Sequence, residues 1–203
     1  MVAPRPEPGP PLVLVHGLWD SPRLFRRLQE RLNGRRQPLL IPELPHGLGE
    51  RPLQELAALL GSHIEAAFGA EAPIDLLGFS MGGVIARTWI QLLGGHRRTR
   101  RFVSVGSPQQ GTWLAQPWPG RLLSGIADMK VGSELLRRLN SDPSPLRGID
   151  CSSFYCSADL MVVPGWRAVL PVGRHTGLPV LTHQQLIRHP AALEPLVAEL
   201  LRP

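Results

Sequence analysis

The chain has 203 residues, 43% of them hydrophobic and 19% charged, which is enough apolar material for one globular core and excludes a disordered or fibrous chain. Its net charge of +6 rests on arginines dispersed in short pairs (Arg26-Arg27, Arg35-Arg36, Arg137-Arg138), with Lys130 the only lysine, so no nucleic-acid partner is expected. No apolar run approaches the roughly 20 residues of a membrane-spanning helix.

Residues 1–10, MVAPRPEPGP, read as a Pro-rich extended leader, because proline fixes the backbone and removes donors. They lack the apolar stretch of a secretory signal, so with residue 1 as the natural start the expectation is cytoplasmic residence. From residue 11 to 203 the chain reads as one α/β domain. Strand-like apolar runs alternate with amphipathic helical segments, and that order builds a mostly parallel central sheet of about six strands with helices on both faces.

The first strand is expected over 11–15 and a helix over 21–32, with Ser21 as N-cap and Pro22 in the first turn. A short second strand is expected over 38–43, limited by Pro42. Leu53, Leu56, Leu59, Leu60 and Ile64 have helical spacing within 52–68, and Gly69 ends that helix. Residues 74–79 form a third strand that runs directly into a helix from 81 to about 93, stopped by Gly94-Gly95. Arg97, Arg98, Arg100 and Arg101 then read as a solvated loop before a strand over 101–106. Residues 109–147 are irregular apart from a helix at 133–139. A strand over 149–157, a last strand near Val180-Leu181 and a closing helix over 190–200 complete the order. Cys151 and Cys156 lie five apart in one strand, which points them to opposite faces as free buried thiols.

The strongest chemical signal is Gly78-Phe79-Ser80-Met81-Gly82-Gly83, a G-x-S-x-G pattern between a strand and a helix. Presenting a serine hydroxyl at the tip of such a turn forces a strained backbone and leaves no room for side chains at Gly78 and Gly82. The helix that follows aims its positive end at developing negative charge. A serine needs a base, and the base needs a carboxylate. In this kind of sheet the partners follow in the order serine, acid, histidine, each just beyond a strand. Asp159 and His183 fit that order best. His175 and His189 remain rivals, although His175 precedes the last predicted strand and a capping role suffices for His189 before Pro190. Asp128, Glu134, Asp142 and Asp150 fall in the irregular segment or ahead of the strand.

Acyl transfer also needs two donors at the carbonyl oxygen. The N–H of Met81, directly after the serine, and that of Leu18, in the His16-Gly17-Leu18-Trp19 turn after the first strand, are the candidates. Trp19, Trp113, Leu114 and Trp118 are candidate substrate-binding residues, and residues 112–148 a candidate lid or cap insertion. No metal or cofactor is called for by this chemistry.

HGLW near the start, GFSMGG, VGSPQQGT at 105–112, YCSADLMVVP and LTHQQLIRHP together resemble the bacterial lipases and esterases of the α/β-hydrolase superfamily. Beginning at the His-Gly strand is similar to the small Bacillus-type lipases, which lack the superfamily's first two strands. The resemblance implies Ser80, Asp159 and His183 as a triad, Leu18 and Met81 as oxyanion donors, and a small-molecule or lipid ester as substrate, with transient contact at a lipid interface. Transfer of the acyl group to an alcohol, or a non-catalytic binding protein of the same fold, are the alternatives.

Overall fold

A computed structural model describes residues 9–203, so most of the expected leader lies outside the described residues. Six parallel strands form one sheet in the order β2-β1-β3-β4-β5-β6. They are β1 (Leu12–Val15), β2 (Leu39–Leu40), β3 (Ile74–Phe79), β4 (Thr99–Val105), β5 (Asp150–Tyr155) and β6 (Arg174–Gly177). The helices are α1 (Arg26–Leu32), α2 (Leu53–Phe68), α3 (Met81–Leu92), α4 (Ser124–Asp128), α5 (Glu134–Ser141) and α6 (Pro190–Leu201).

Alternation along the strands splits the core in two. Val13 and Val15 of β1 face a cluster with Leu56, Leu60 and Ile64 of α2 and Val84 and Ile85 of α3. Leu12 and Leu14 face the other side, with Leu28 of α1 and Leu193 and Leu196 of α6. Both faces of the sheet are therefore covered, and strands buried on both faces read as continuous apolar runs. Cys151 and Cys156 are buried in opposite clusters and unbridged, as their spacing predicts.

Four expectations need correction. The helix over 21–32 opens as a 3-10 turn, Pro22–Phe25, and Ser21 makes no side-chain cap. Only part of the basic group is a solvated loop: Arg97 is exposed ahead of the strand, but β4 begins at Thr99, and Arg100 and Arg101 lie inside it. Arg101 is 1% exposed and donates to Asp150 and to the carbonyls of Glu199, Arg202 and Pro203. The last strand is Arg174–Gly177, not Val180-Leu181. All four of its residues are exposed on a sheet edge, so it carries no apolar signature, whereas Val180 packs into the core from a loop in which Pro179 has no N–H to offer a ladder. Finally, α4 is a five-residue helix in the segment read as irregular, too short to show a period.

Sequential strands leave β1 in opposite directions, to β2 on one side and β3 on the other. A crevice opens beyond the carboxyl ends of strands at such a reversal. Val15 pairs with Gly78, so the turn after β1 and the turn after β3 meet there.

Candidate active site

Ser80 occupies the one-residue turn between β3 and α3 with φ 54° and ψ −128°. A non-glycine residue at positive φ is strained, and the packing around it explains what holds it there. A Cβ on Gly82 would overlap the Val15 carbonyl, one on Gly78 would overlap Gly83, and one on Gly17 would lie 2.8 Å from Ser80 Cβ. The turns after β1 and β3 are thus packed so closely that only glycine fits at these positions. Gly83 lies as close to Ser107, whose buried hydroxyl donates at 3.3 Å to the Gly78 and Val105 carbonyls. Ser107 therefore braces the serine turn from the loop after β4. The motif reading did not single it out, although it sits in the quoted VGSPQQGT stretch.

His183 follows the loop after β6 and begins a 3-10 turn, His183–Ile187, that Thr182 and Gln185 close with a capping box. Its Nδ1 lies 2.7 Å from Asp159 Oδ2. Asp159 stands in the loop after β5, 4% exposed, and its other oxygen accepts from the Met161 and Val162 N–H groups at 2.8 and 3.1 Å. A carboxylate accepting from two backbone donors is itself an acceptor toward the ring, so Nδ1 carries the proton and Nε2 is the basic nitrogen. That Nε2 is buried and has no hydrogen-bond partner among the described residues. Phe79 packs against the ring at 4.8 Å between centroids, and a Cβ on Gly106 would sit 3.2 Å from Cε1, so the imidazole is held on two sides.

Ser80 and His183 line one cavity of ≈ 380 Å³, without a hydrogen bond between them. Leu18, Trp19, Leu114, Trp118, Ile126, Met129, Met161 and Val162 give it a largely apolar wall. Of the candidate substrate residues, Trp19, Leu114 and Trp118 are there, but Trp113 is not. Trp113 turns outward, 54% exposed, with the Arg167 guanidinium 5.8 Å above its ring. Leu18 lies on the cavity wall and Met81 is the first residue of α3, where an N–H has no intrahelical partner. Neither N–H donates to another group among the described residues.

The competing histidines have other work. His16 is buried, its Nε2 accepts from the Leu44 N–H at 3.1 Å, and burial pushes its pKa below the ordinary range, so it is a neutral structural acceptor. His175 lies exposed in β6, and His189 caps α6 by accepting from the Ala191 N–H. Arg87 on α3, wholly buried, reaches the carbonyls of Gln109 and Leu139 and so ties the helix behind Ser80 to the loop after β4 and to α5.

A family profile described as the alpha/beta hydrolase family matches residues 12–201. The chain belongs to the alpha/beta hydrolase family. Over 119 residues this alpha/beta hydrolase is 30% identical to the lysosomal thioesterase PPT2 of Homo sapiens, a match covering 56% of this chain and 39% of that protein. The chain thus spans well under half the length of the curated relatives it matches. Among solved structures it is similar to the mature lipase BlEst2 of Bacillus licheniformis, with a TM-score of 0.77 and 17% identity, covering 98% of this chain and 95% of that one. It is also similar to the RedJ thioesterase of the prodiginine biosynthetic pathway in Streptomyces coelicolor, with a TM-score of 0.61 and 23% identity, covering 98% and 89%. At these identities the likeness establishes the shared fold. Among the described residues no helix is long and apolar enough to cross a membrane.

Proposed function

We propose that this alpha/beta hydrolase cleaves carboxylic esters through Ser80, His183 and Asp159. The observation that carries the reading is a buried imidazole, hydrogen-bonded to Asp159 on one nitrogen and unpartnered on the other, lining the same cavity as a strained serine. Rotation of the Ser80 side chain toward His183 makes the missing hydrogen bond when substrate fills the cavity, since such contacts tighten in the reactive complex. His183 takes the Ser80 proton as Oγ attacks the carbonyl, and the N–H groups of Leu18 and Met81 receive the charge on the carbonyl oxygen. His183 then protonates the leaving group, and water releases the acyl chain from Ser80.

The apolar wall formed by Leu114, Trp118, Ile126 and Met129 accommodates the acyl chain, and residues 112–148 act as the cap that supplies it. Gly125 and Ile126 anchor that cap by donating to the Gly49 carbonyl, and Asp128 by accepting from the Leu53 N–H at 2.8 Å. The relatives named as thioesterases favour testing sulfur esters beside oxygen esters. Incubation with a fluorophosphonate probe and with p-nitrophenyl esters tests the reading: the chain is labelled once and turns esters over, and Ser80→Ala does neither. Undiminished labelling of Ser80→Ala would remove Ser80 from the mechanism, and product analysis with added alcohol separates hydrolysis from acyl transfer.

A further inference from the structure

Beside the cavity that holds Ser80 and His183 lies a larger open cleft of ≈ 830 Å³, and the two share Trp19 and Asp20 as a common wall. Arg23, Arg26, Arg27 and Arg188 line this cleft, with Asp20 as its one carboxylate. The cleft lies at the same rim of the sheet as Ser80, because Trp19 follows β1, Ile41 follows β2 and Arg188 follows the His183 turn.

What sets these four arginines apart is that they line one concave surface; Arg51, Arg97, Arg121 and Arg138 also meet no carboxylate among the described residues, but they stand elsewhere. Arg36, Arg100, Arg101, Arg174 and Arg202 are engaged by Asp75, Asp150 or Glu199. Arg23 and Arg188, both exposed, meet no carboxylate among the described residues, and their side chains make no hydrogen bond there. Arg27 only donates to the Arg188 carbonyl, and Arg26 reaches Glu30 at 3.7 Å on an open surface. Arg27 and Arg188 also border an adjoining cleft that adds Arg31 and Glu30, so the surplus of positive charge is centred on the cleft nearer the serine.

Four like charges around one cleft repel one another, and Asp20 inside it and Glu30 beside Arg26 offset them only in part. Guanidinium groups pair with phosphate oxygens through two parallel N–H donors, and several around a concave surface focus a field on it. The shared wall carries a second mark of function. Trp19 is 56% exposed yet held at φ 59°, a backbone conformation that a bulky side chain adopts only under constraint. Asp20 stands on the same wall, where burial raises its carboxyl pKa and the charge of Arg188 across the cleft opposes that shift.

We infer that the arginine cleft receives the leaving group of the substrate and that this leaving group bears phosphate. The inference rests on the hydrolase reading above: the acyl chain lies on the apolar side of Ser80, and the thiol or alcohol passes across Trp19 and Asp20 into the cleft. The acyl carbon–sulfur or carbon–oxygen bond breaks as the bond to Ser80 Oγ forms. The proton taken from Ser80 leaves on the sulfur or oxygen by way of His183. Water supplies the proton and hydroxyl that complete hydrolysis.

Two matched pairs of substrates test it, all kept below the concentration at which they aggregate. One pair is octanoyl-coenzyme A and octanoyl-N-acetylcysteamine, which share the thioester and differ in phosphate. The other is 1-octanoylglycerol 3-phosphate and 1-octanoylglycerol, so the pairs distinguish a phosphorylated thiol from a phosphorylated glycerol. In at least one pair the phosphate-bearing member is expected to have about tenfold higher kcat/KM at ~20 mM salt, an advantage that shrinks at ~300 mM. The double variant Arg23→Glu/Arg188→Glu should erase that advantage, keep the neutral members within about twofold, and melt at the wild-type temperature. Turnover of the neutral members with no phosphate advantage in either pair, or an equal loss on both members in the double variant, overturns the cleft assignment alone. Failure to turn over any of the four compounds overturns the hydrolase reading with it.

Discussion

The two ends of the sheet use polar residues in opposite ways. At the amino ends of the strands, charge meets charge: Asp75 accepts from Arg36 and Arg100 at 2.8 and 2.6 Å, and Asp150 gathers Arg101, Arg174 and Arg202. At the carboxyl ends, the serine backbone is strained and His183 keeps a buried nitrogen without a partner. The first arrangement ties β3, β4, β5 and α6 into one block. The second leaves a strained backbone and an unpartnered imidazole nitrogen, at a cost in stability that the rest of the fold offsets. Buried atoms without partners occur at both ends, Arg36 Nε and Arg202 Nε among them, but only at the carboxyl ends does one lie in a cavity beside a strained serine, and that is where chemistry is to be sought.

Substitutions at each end sharpen the contrast. The largest effect is expected from Ser80→Gly, which removes the hydroxyl while relieving the positive φ. Esterase activity falls by about a million-fold, while stability rises by about 1 kcal/mol. Steady-state kinetics and urea unfolding read the two quantities, and a variant that loses both would mean that the turn is structural. Asp159→Asn keeps the shape but lets His183 adopt the wrong tautomer. The expected loss in kcat is about 10⁴-fold with substrate affinity retained, and a loss confined to KM would break the assignment. The smallest effect on catalysis comes from the opposite end. Asp75→Ala leaves Arg36, 7% exposed, as an unpaired buried charge. It should lower unfolding free energy by about 3–5 kcal/mol while kcat per folded molecule holds. A selective loss of kcat there would show that the two ends are coupled.

Much of this was legible in the sequence because the signals are local. β1, β3, α2 and α3 appear within a residue or two of their expected bounds, since a strand buried on both faces and a helix with one apolar stripe each carry their own pattern. The pairing of Asp159 with His183 followed from chain order, because loops beyond parallel strands converge at one rim. Trp113 misled because an aromatic residue beside an apolar run reads the same whether it faces a cavity or solvent. The edge strand β6 and the five-residue α4 were invisible for want of burial and of length.

What the amino-acid order determined alone was the alternation of strand and helix, the glycines that must surround Ser80, and the succession serine, acid, histidine. Only the folded chain decided which polar groups share a space. Arg101 and Arg188 are the same side chain in a sequence, yet one is wrapped by Asp150 and three carbonyls and the other stands in an open cleft. The reason is that charge pairing depends on distance and solvent exclusion between residues far apart along the chain, and neither quantity is written in local pattern.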